Sequence, residues 1–264
     1  METVFLKLGG SLITFKNKPL KADVRTINRL AKEIKSALDK KPMHLLIGHG
    51  GGSFPHVPAK RYSVHKGIIN KKSITGFTRT QDAAARLNRI VMSALLKVGV
   101  KAAVFPPSSW IITRKGDIEM AFPQPILTAM KNNIVPVVYG DPVLDIQQGI
   151  AILSTEQVLS YLALELGAAR VIMATRVDMV YTGDPKKKKS VEPIPKITSG
   201  NFYEIKPLLS GASETDVTGG MIHKVGSLYR LSANGVKCEI AGGKIPGNIL
   251  KALLGKPHRS TTIG

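Results

Sequence analysis

Apolar runs that break straight into glycine recur along this chain, with amphipathic helices between them. Val4-Phe5-Leu6-Lys7-Leu8 stops at Gly9-Gly10, and Leu45-Leu46-Ile47 runs into Gly48-His49-Gly50-Gly51-Gly52. Ala102 to Phe105 is closed by Pro106-Pro107, and Ile134 to Tyr139 by Gly140-Asp141-Pro142. Between these runs, Val24, Ile27, Leu30, Ala31, Ile34, Ala37 and Leu38 recur at helical spacing, as do Leu87, Ile90, Val91, Ala94, Leu95 and Val98. Further on, the pattern predicts a hairpin over 111–119, a helix over 156–166 and a strand at 171–173. An irregular stretch over 175–198, a helix over 219–233, a strand at 236–240, a small helix near 246–254 and an edge strand at 260–263 follow. Such alternation implies an α/β fold, a mostly parallel central sheet covered on both faces by helices. No linker-like stretch interrupts it, so an N-terminal half (1–150) and a C-terminal half (151–264) are expected to share one continuous sheet.

Composition narrows the class. A length of 264 residues is between one and two domains, and a single cysteine, Cys238, excludes an internal disulfide framework or a multi-cysteine zinc site. No apolar run approaches the roughly 18 residues of a membrane span, and the N-terminus lacks signal-peptide character. The expectation is a soluble cytoplasmic protein with no membrane partner. Its 38 Lys and Arg against 18 Asp and Glu give a net charge of +20, which attracts polyanions and phosphorylated small molecules alike. The lysines are scattered, and the dense run Lys186 to Lys189 follows the turn sequence Gly183-Asp184-Pro185, which reads as a solvated loop. Aromatic residues make up 5% and do not interleave with the basic ones, so a nucleic-acid stacking platform is not expected.

In sheets of this kind ligands bind beyond the carboxyl ends of the strands, where loops hand over to helices. At the first junction, Lys7-Leu8-Gly9-Gly10-Ser11 is followed by Lys16. Adjacent glycines let backbone N–H groups approach an anion, although the spacing is not that of a Walker A loop. The second junction packs four glycines and two histidines into residues 48–56, ending at His56. Three consecutive glycines cost roughly 0.5–1 kcal/mol each relative to Ala in regular structure, which points to a close backbone approach. No further histidine or carboxylate at ligand spacing supports a metal site there, and no metal-ligating residues are assigned. The third junction carries Asp178, and in the fourth Thr218-Gly219-Gly220 opens a helix with Lys224 in its early turns. A helix N-terminus favours anions and disfavours a lysine unless an anion is close. Four anion-friendly junctions, three lysines and no evident nucleophile suit phosphoryl transfer, in which positioning and charge stabilisation do most of the work.

These motifs together (KLGGS, Lys16, the HGGGSF-x-H loop, DMVYTGDP and TGGM-x-x-K) resemble the amino acid kinase superfamily, and within it the isopentenyl phosphate kinases of archaeal type. The resemblance implies an open αβα sandwich with an acceptor half and an ATP half, usually a homodimer. It implies ATP- and Mg²⁺-dependent phosphorylation of isopentenyl phosphate to isopentenyl diphosphate in isoprenoid biosynthesis. By position, Lys7, Gly9, Gly10 and Ser11 would contact ATP phosphates, and Lys16 would stabilise the transferring group. Gly51, His56 and Thr155 would serve the acceptor and Gly52 the ATP side. Asp178 would face the nucleotide, while Gly219, Gly220 and Lys224 would clasp the distal phosphates.

Two residues depart from the family pattern. Pro55 stands where a glycine precedes the loop histidine, removing one N–H, and Glu156 stands where an aspartate would orient the lysines. An apolar tail would need a hydrophobic slot, for which Phe77, Ile90, Met92 and Leu95 are the candidates. The alternatives are another kinase of the superfamily (fosfomycin-type, uridylate, carbamate or acetylglutamate) or a non-catalytic basic nucleic-acid-binding protein on the same fold.

Overall fold

A computed structural model describes residues 1–15, 17–183, 191–209 and 220–264. The first strand, β1 (Glu2–Leu8), sends alternate side chains into two cores: Val4, Leu6 and Leu8 into one, Phe5 into the other. That is the mark of a strand covered on both faces. At Gly9 the chain turns into the single turn α1 (Gly10–Ile13), then into α2 (Val24–Lys40). The Asp23 side chain starts α2 by accepting the Thr26 N–H at 3.0 Å. Next come β2 (Met43–His49), the short α3 (His56–Arg61) and the long α4 (Lys71–Lys97). At the head of α4, Asn70 accepts the Lys72 N–H at 2.9 Å while Ser73 accepts the Asn70 N–H at 3.3 Å.

The chain continues through β3 (Ala102–Val104), the hairpin β4 (Ile111–Arg114) and β5 (Asp117–Ala121), α5 (Gln124–Lys131) and β6 (Val135–Tyr139). A second hairpin, β7 (Asp141–Asp145) and β8 (Gly149–Leu153), leads to α6 (Thr155–Glu165) and β9 (Arg170–Thr175). Short strands β10 (Val180–Tyr181), β11 (Pro193–Ile194) and β12 (Lys196–Ile197) precede α7 (Phe202–Leu208) and α8 (Gly220–Ser232). Finally come β13 (Lys237–Gly242), α9 (Asn248–Leu254) and β14 (Ser260–Ile263).

Eight strands form one sheet in the order β12-β14-β13-β9-β1-β2-β6-β3, parallel throughout except where β14 runs against β13. Helices α2, α4 and α9 pack one face; α5, α6 and α8 pack the other. The first strand lies in the middle, with β2 on one side and β9 on the other, so the chain order reverses there. The loops after β1, β2 and β9 therefore surround the crevice at the switch point. A separate four-stranded sheet, β5-β4-β7-β8, pairs with no strand of the main one.

Several expectations need correction. Residues 260–263 are not an edge strand, because β12 pairs beyond them and the Thr262 N–H donates to Pro195 O at 3.0 Å. Strands β7 and β8 replace the simple turn expected after Tyr139, and the described residues between 180 and 197 include the two-residue strands β10, β11 and β12. Of the candidate tail-slot residues, Met92 and Leu95 are core under α2, and Ile90 packs against that core. Phe77 is half-buried and belongs to neither core. Among the described residues no helix is long and apolar enough to cross a membrane.

One carboxylate fastens α9 to α2. Glu33 accepts the Ile249 and Leu250 N–H groups at 3.1 and 3.2 Å with one oxygen and pairs with Arg29 through the other. Replacing Glu33 by Ala strands these donors in a buried site and is expected to cost about 2–3 kcal/mol. Urea unfolding at neutral pH measures it; a change below about 0.5 kcal/mol contradicts the assignment.

Candidate active site

Lys7 lies on the Phe5 side of β1, so strand alternation turns it toward α6 and α8. Its side chain is 3% exposed, and Nζ donates to Glu156 Oε1. Glu156 is the second residue of α6, whose start is fixed by a reciprocal pair. Ser154 Oγ accepts the Gln157 N–H at 3.2 Å, and Gln157 Oε1 accepts the Ser154 N–H at 3.0 Å. Burial alone would raise the Glu156 carboxyl; the ammonium groups of Lys7 and Lys224 outweigh it and hold the group below its usual range. Lys224 sits one turn into α8, where Nζ also donates to Gly220 O at 3.1 Å. Two lysines from opposite ends of the chain thus converge on one part-buried carboxylate. The longer glutamate reaches Lys7 without difficulty.

Opposite this charge cluster, the loops after β1 and β2 touch backbone to backbone. A Cβ on Gly10 would lie 2.8 Å from Gly52 Cα, and one on Gly50 would lie 2.6 Å from Gly10 N. Neither position admits a side chain. Gly52 adopts φ +53°, and a Cβ there would meet Gly10 O at 2.7 Å and Thr14 Cγ2 at 2.8 Å. The Gly9 amide donates to Ala174 O at 2.9 Å, which joins the loop to β9 and leaves Gly10 and Ser11 as the first-turn amides of α1. His56 opens α3 and is half-buried. The Pro55 ring packs over Gly51, and Pro55 O accepts the Ala59 N–H at 3.0 Å, so the proline launches α3 in place of a free amide.

Thr155, at the head of α6, is buried and donates Oγ1 to His49 O at 2.8 Å. Its hydroxyl therefore braces the β2 loop. Asp178, beyond β9, accepts from Tyr181 OH at 2.7 Å and from Arg259 Nε at 2.6 Å. Burial pulls its carboxyl upward, but these two donors leave it below its ordinary value. Its side chain is thus tied to β10 and to the segment before β14. Lys16 and Gly219 lie outside the described residues, as does the 186–189 lysine run. Gly220 is the first residue of α8 and takes φ +63°.

Polar residues that no motif singled out also support the crevice. Asp141, at the head of β7, is buried; Oδ2 accepts the Ser108 N–H at 3.1 Å, and burial pushes the carboxyl up to about 6. His49, at the end of β2, is 1% exposed, with its ring stacked on Tyr139 at 5.3 Å between centroids. Asn88 Nδ2 lies 3.1 Å from Nε2 and Gly50 O lies 3.3 Å from Nδ1. With the amide donating to Nε2, the ring proton sits on Nδ1 and faces Gly50 O. The signal for this histidine was present as the other histidine of the glycine loop; its partner on α4 was not visible.

Burial lowers the His49 pKa from 6.5 to about 4. A neutral folded imidazole against a protonated unfolded one makes stability full above pH 6.5 and progressively lost toward pH 4. By pH 4 this group should remove about 3 kcal/mol. Unfolding free energies of wild type and His49→Gln across pH 7 to 4 test it. A wild-type acid slope no steeper than that of the variant would contradict it.

Comparison with known proteins agrees with this architecture. The profile of the amino acid kinase family matches residues 2–242. The isopentenyl phosphate kinase of Methanothermobacter thermautotrophicus is 39% identical, over 98% of each chain. That of Methanocaldococcus jannaschii is 36% identical, over 95% of each. A crystal structure of an isopentenyl phosphate kinase superposes with a TM-score of 0.86 at 35% identity, covering all of both chains. The chain belongs to the amino acid kinase family and groups there with the isopentenyl phosphate kinases.

Proposed function

We propose that this chain transfers the γ-phosphoryl group of ATP to isopentenyl phosphate, forming isopentenyl diphosphate and ADP in isoprenoid biosynthesis. The observation that carries the reading is the pair of lysines, Lys7 and Lys224, gathered on Glu156 beside two glycine loops in backbone contact. Phosphoryl transfer asks for cations around the moving group and for two phosphates held in line, and little else. In this reading the Gly10 and Ser11 amides, Gly52, Gly219, Gly220 and the two lysines hold the ATP phosphates, with Asp178 toward the nucleotide. Lys16 supports the charge that develops on the transferring group. Gly51 and His56 hold the acceptor phosphate, and Thr155 sets the loop that carries them. An acceptor oxygen attacks the γ-phosphorus as the bond to ADP breaks; a phosphate monoester is already ionised, so no enzyme base is needed. In this reading Glu156 gives both lysines one shared counter-charge in the crevice.

The described residues include no group of three or more His, Cys, Asp or Glu placed to hold a metal. A Mg²⁺ ion accompanying ATP would take its oxygen ligands from the phosphates and from water, supplying charge neutralisation there. The acceptor half is assigned to 1–150 and the ATP half to 151–264, in a cytoplasmic homodimer.

Coupled measurement of ADP formation with isopentenyl phosphate, dimethylallyl phosphate, uridylate, carbamate and acetylglutamate tests the substrate. Isopentenyl phosphate is expected to give the highest kcat/KM; a clear preference for another acceptor overturns the assignment. His56→Ala should lower kcat/KM for the monophosphate by roughly 10- to 100-fold, the worth of one charge-assisted hydrogen bond. Unchanged kinetics would remove His56 from the site.

Glu156→Gln removes the carboxylate that both lysines face. Its kcat should fall at least about tenfold, with part of the loss recovered in Glu156→Asp. Equal activity of the Gln variant and wild type would show that the carboxylate is dispensable.

A further inference from the structure

Thr14 stands where the two glycine loops meet. It follows the single turn of α1, is buried, and belongs to neither of the motifs those loops carry. Its Oγ1 donates to Gly10 O at 2.8 Å and accepts the Ser53 N–H at 3.1 Å. One hydroxyl therefore closes a bridge from the carbonyl of the first loop to an amide of the second. Its methyl group fills the space beside Gly52, where a Cβ would come within 2.8 Å of Thr14 Cγ2. The backbone of Thr14 is itself fixed, because its N–H donates to Gly10 O at 3.0 Å and it bridges Ala22 across an antiparallel pair. The Leu20 N–H adds a second tie by donating to Ser53 O at 3.2 Å.

We propose that Thr14 is a positioning residue that sets the distance and angle between the two bound phosphates. The inference rests on the phosphoryl-transfer reading above, in which the first loop holds the donor and the second holds the acceptor. A hydroxyl that donates to one loop and accepts from the other fixes both partners through a single atom. Serine can reproduce that geometry; valine keeps the shape and loses both bonds, which leaves Gly10 O and the Ser53 N–H without this partner. Each loop can still bind its own phosphate in the variant. What is lost is their alignment, and misplacement by about 1 Å can cost on the order of 100-fold in rate.

The test is steady-state kinetics for both substrates, with thermal unfolding, on wild type, Thr14→Val and Thr14→Ser. In Thr14→Val, kcat should fall by roughly 10- to 100-fold while both KM values stay within about threefold. Thr14→Ser should remain within about threefold of wild type in kcat. A merely structural role would lower the melting temperature of Thr14→Val and leave kcat near wild type, which overturns the proposal. So does a Thr14→Ser variant as slow as Thr14→Val, or a rise in KM with kcat unchanged. If Thr14→Val does not fold, Thr14→Ala takes its place in the same comparison. A wild-type chain that ignores isopentenyl phosphate but phosphorylates another acceptor overturns the substrate assignment alone, and the comparison is then made on that acceptor. A chain that phosphorylates none removes the reading and the inference together.

Discussion

At the crossing of the first two loops the main chain leaves no space for a single Cβ. Gly10 rests against Gly50 and Gly52, and that contact decides how close the ends of β1 and β2 can come above the sheet. Neighbouring parallel strands lie about 4.8 Å apart, and their loops would ordinarily splay to make room for side chains. Here they close on each other, and the register Leu8 opposite His49 brings both turns to the same height. Two glycine turns at one height bring their backbones side by side, the arrangement from which an anion-binding nest can be built. Everything else in the crevice is arranged around that shared rim.

Charge is placed to match. Lys7 is carried by the central strand and Lys224 by α8, yet both act on a carboxylate at the head of α6. Two ammonium groups brought close together repel one another unless a counter-charge lies near both. Glu156 supplies that counter-charge. On the opposite face of β2 the chain does the reverse: His49 is kept neutral by burial, stacked on Tyr139 and paired with Asn88. The glycine loop is thus anchored from below by an uncharged ring and faced from above by cations. On the proposed reading, an anion held here would face Lys7 and Lys224.

Most of the sheet was readable because its central strands are unbroken apolar runs ending in glycine. Strands β1, β2 and β6 have no competing pattern. The hairpin β7 and β8 was not readable, since its buried positions include Asp141 and Asp145, and a carboxylate inside a strand looks like turn chemistry in sequence. Asp145 is there to accept backbone N–H groups from Gly116, Gln147 and Gln148, a role visible only when those turns have been brought together. Lys7 and the glycines stood out locally, whereas the pairing of Lys7 with Glu156 joins residues 149 positions apart. Thr14 offered no signal at all, because its neighbours in sequence are ordinary helix residues and its partner Ser53 lies 39 positions away. Local spacing marks candidate anion-binding groups; it does not report the contacts that join their loops.

The small sheet β5-β4-β7-β8 shares no strand pairing with the large one, although Gly140 alone separates β7 from β6. That arrangement divides the labour of the molecule mechanically. The hydrogen-bond ladder of β9, β1 and β2 takes no strand pairing from the hairpins, although β8 leads straight into α6 and its Glu156. The hairpins thus reach the candidate site through the head of α6, where Gln157 Nε2 also donates to Gly116 O at 3.2 Å, and not through the ladder itself.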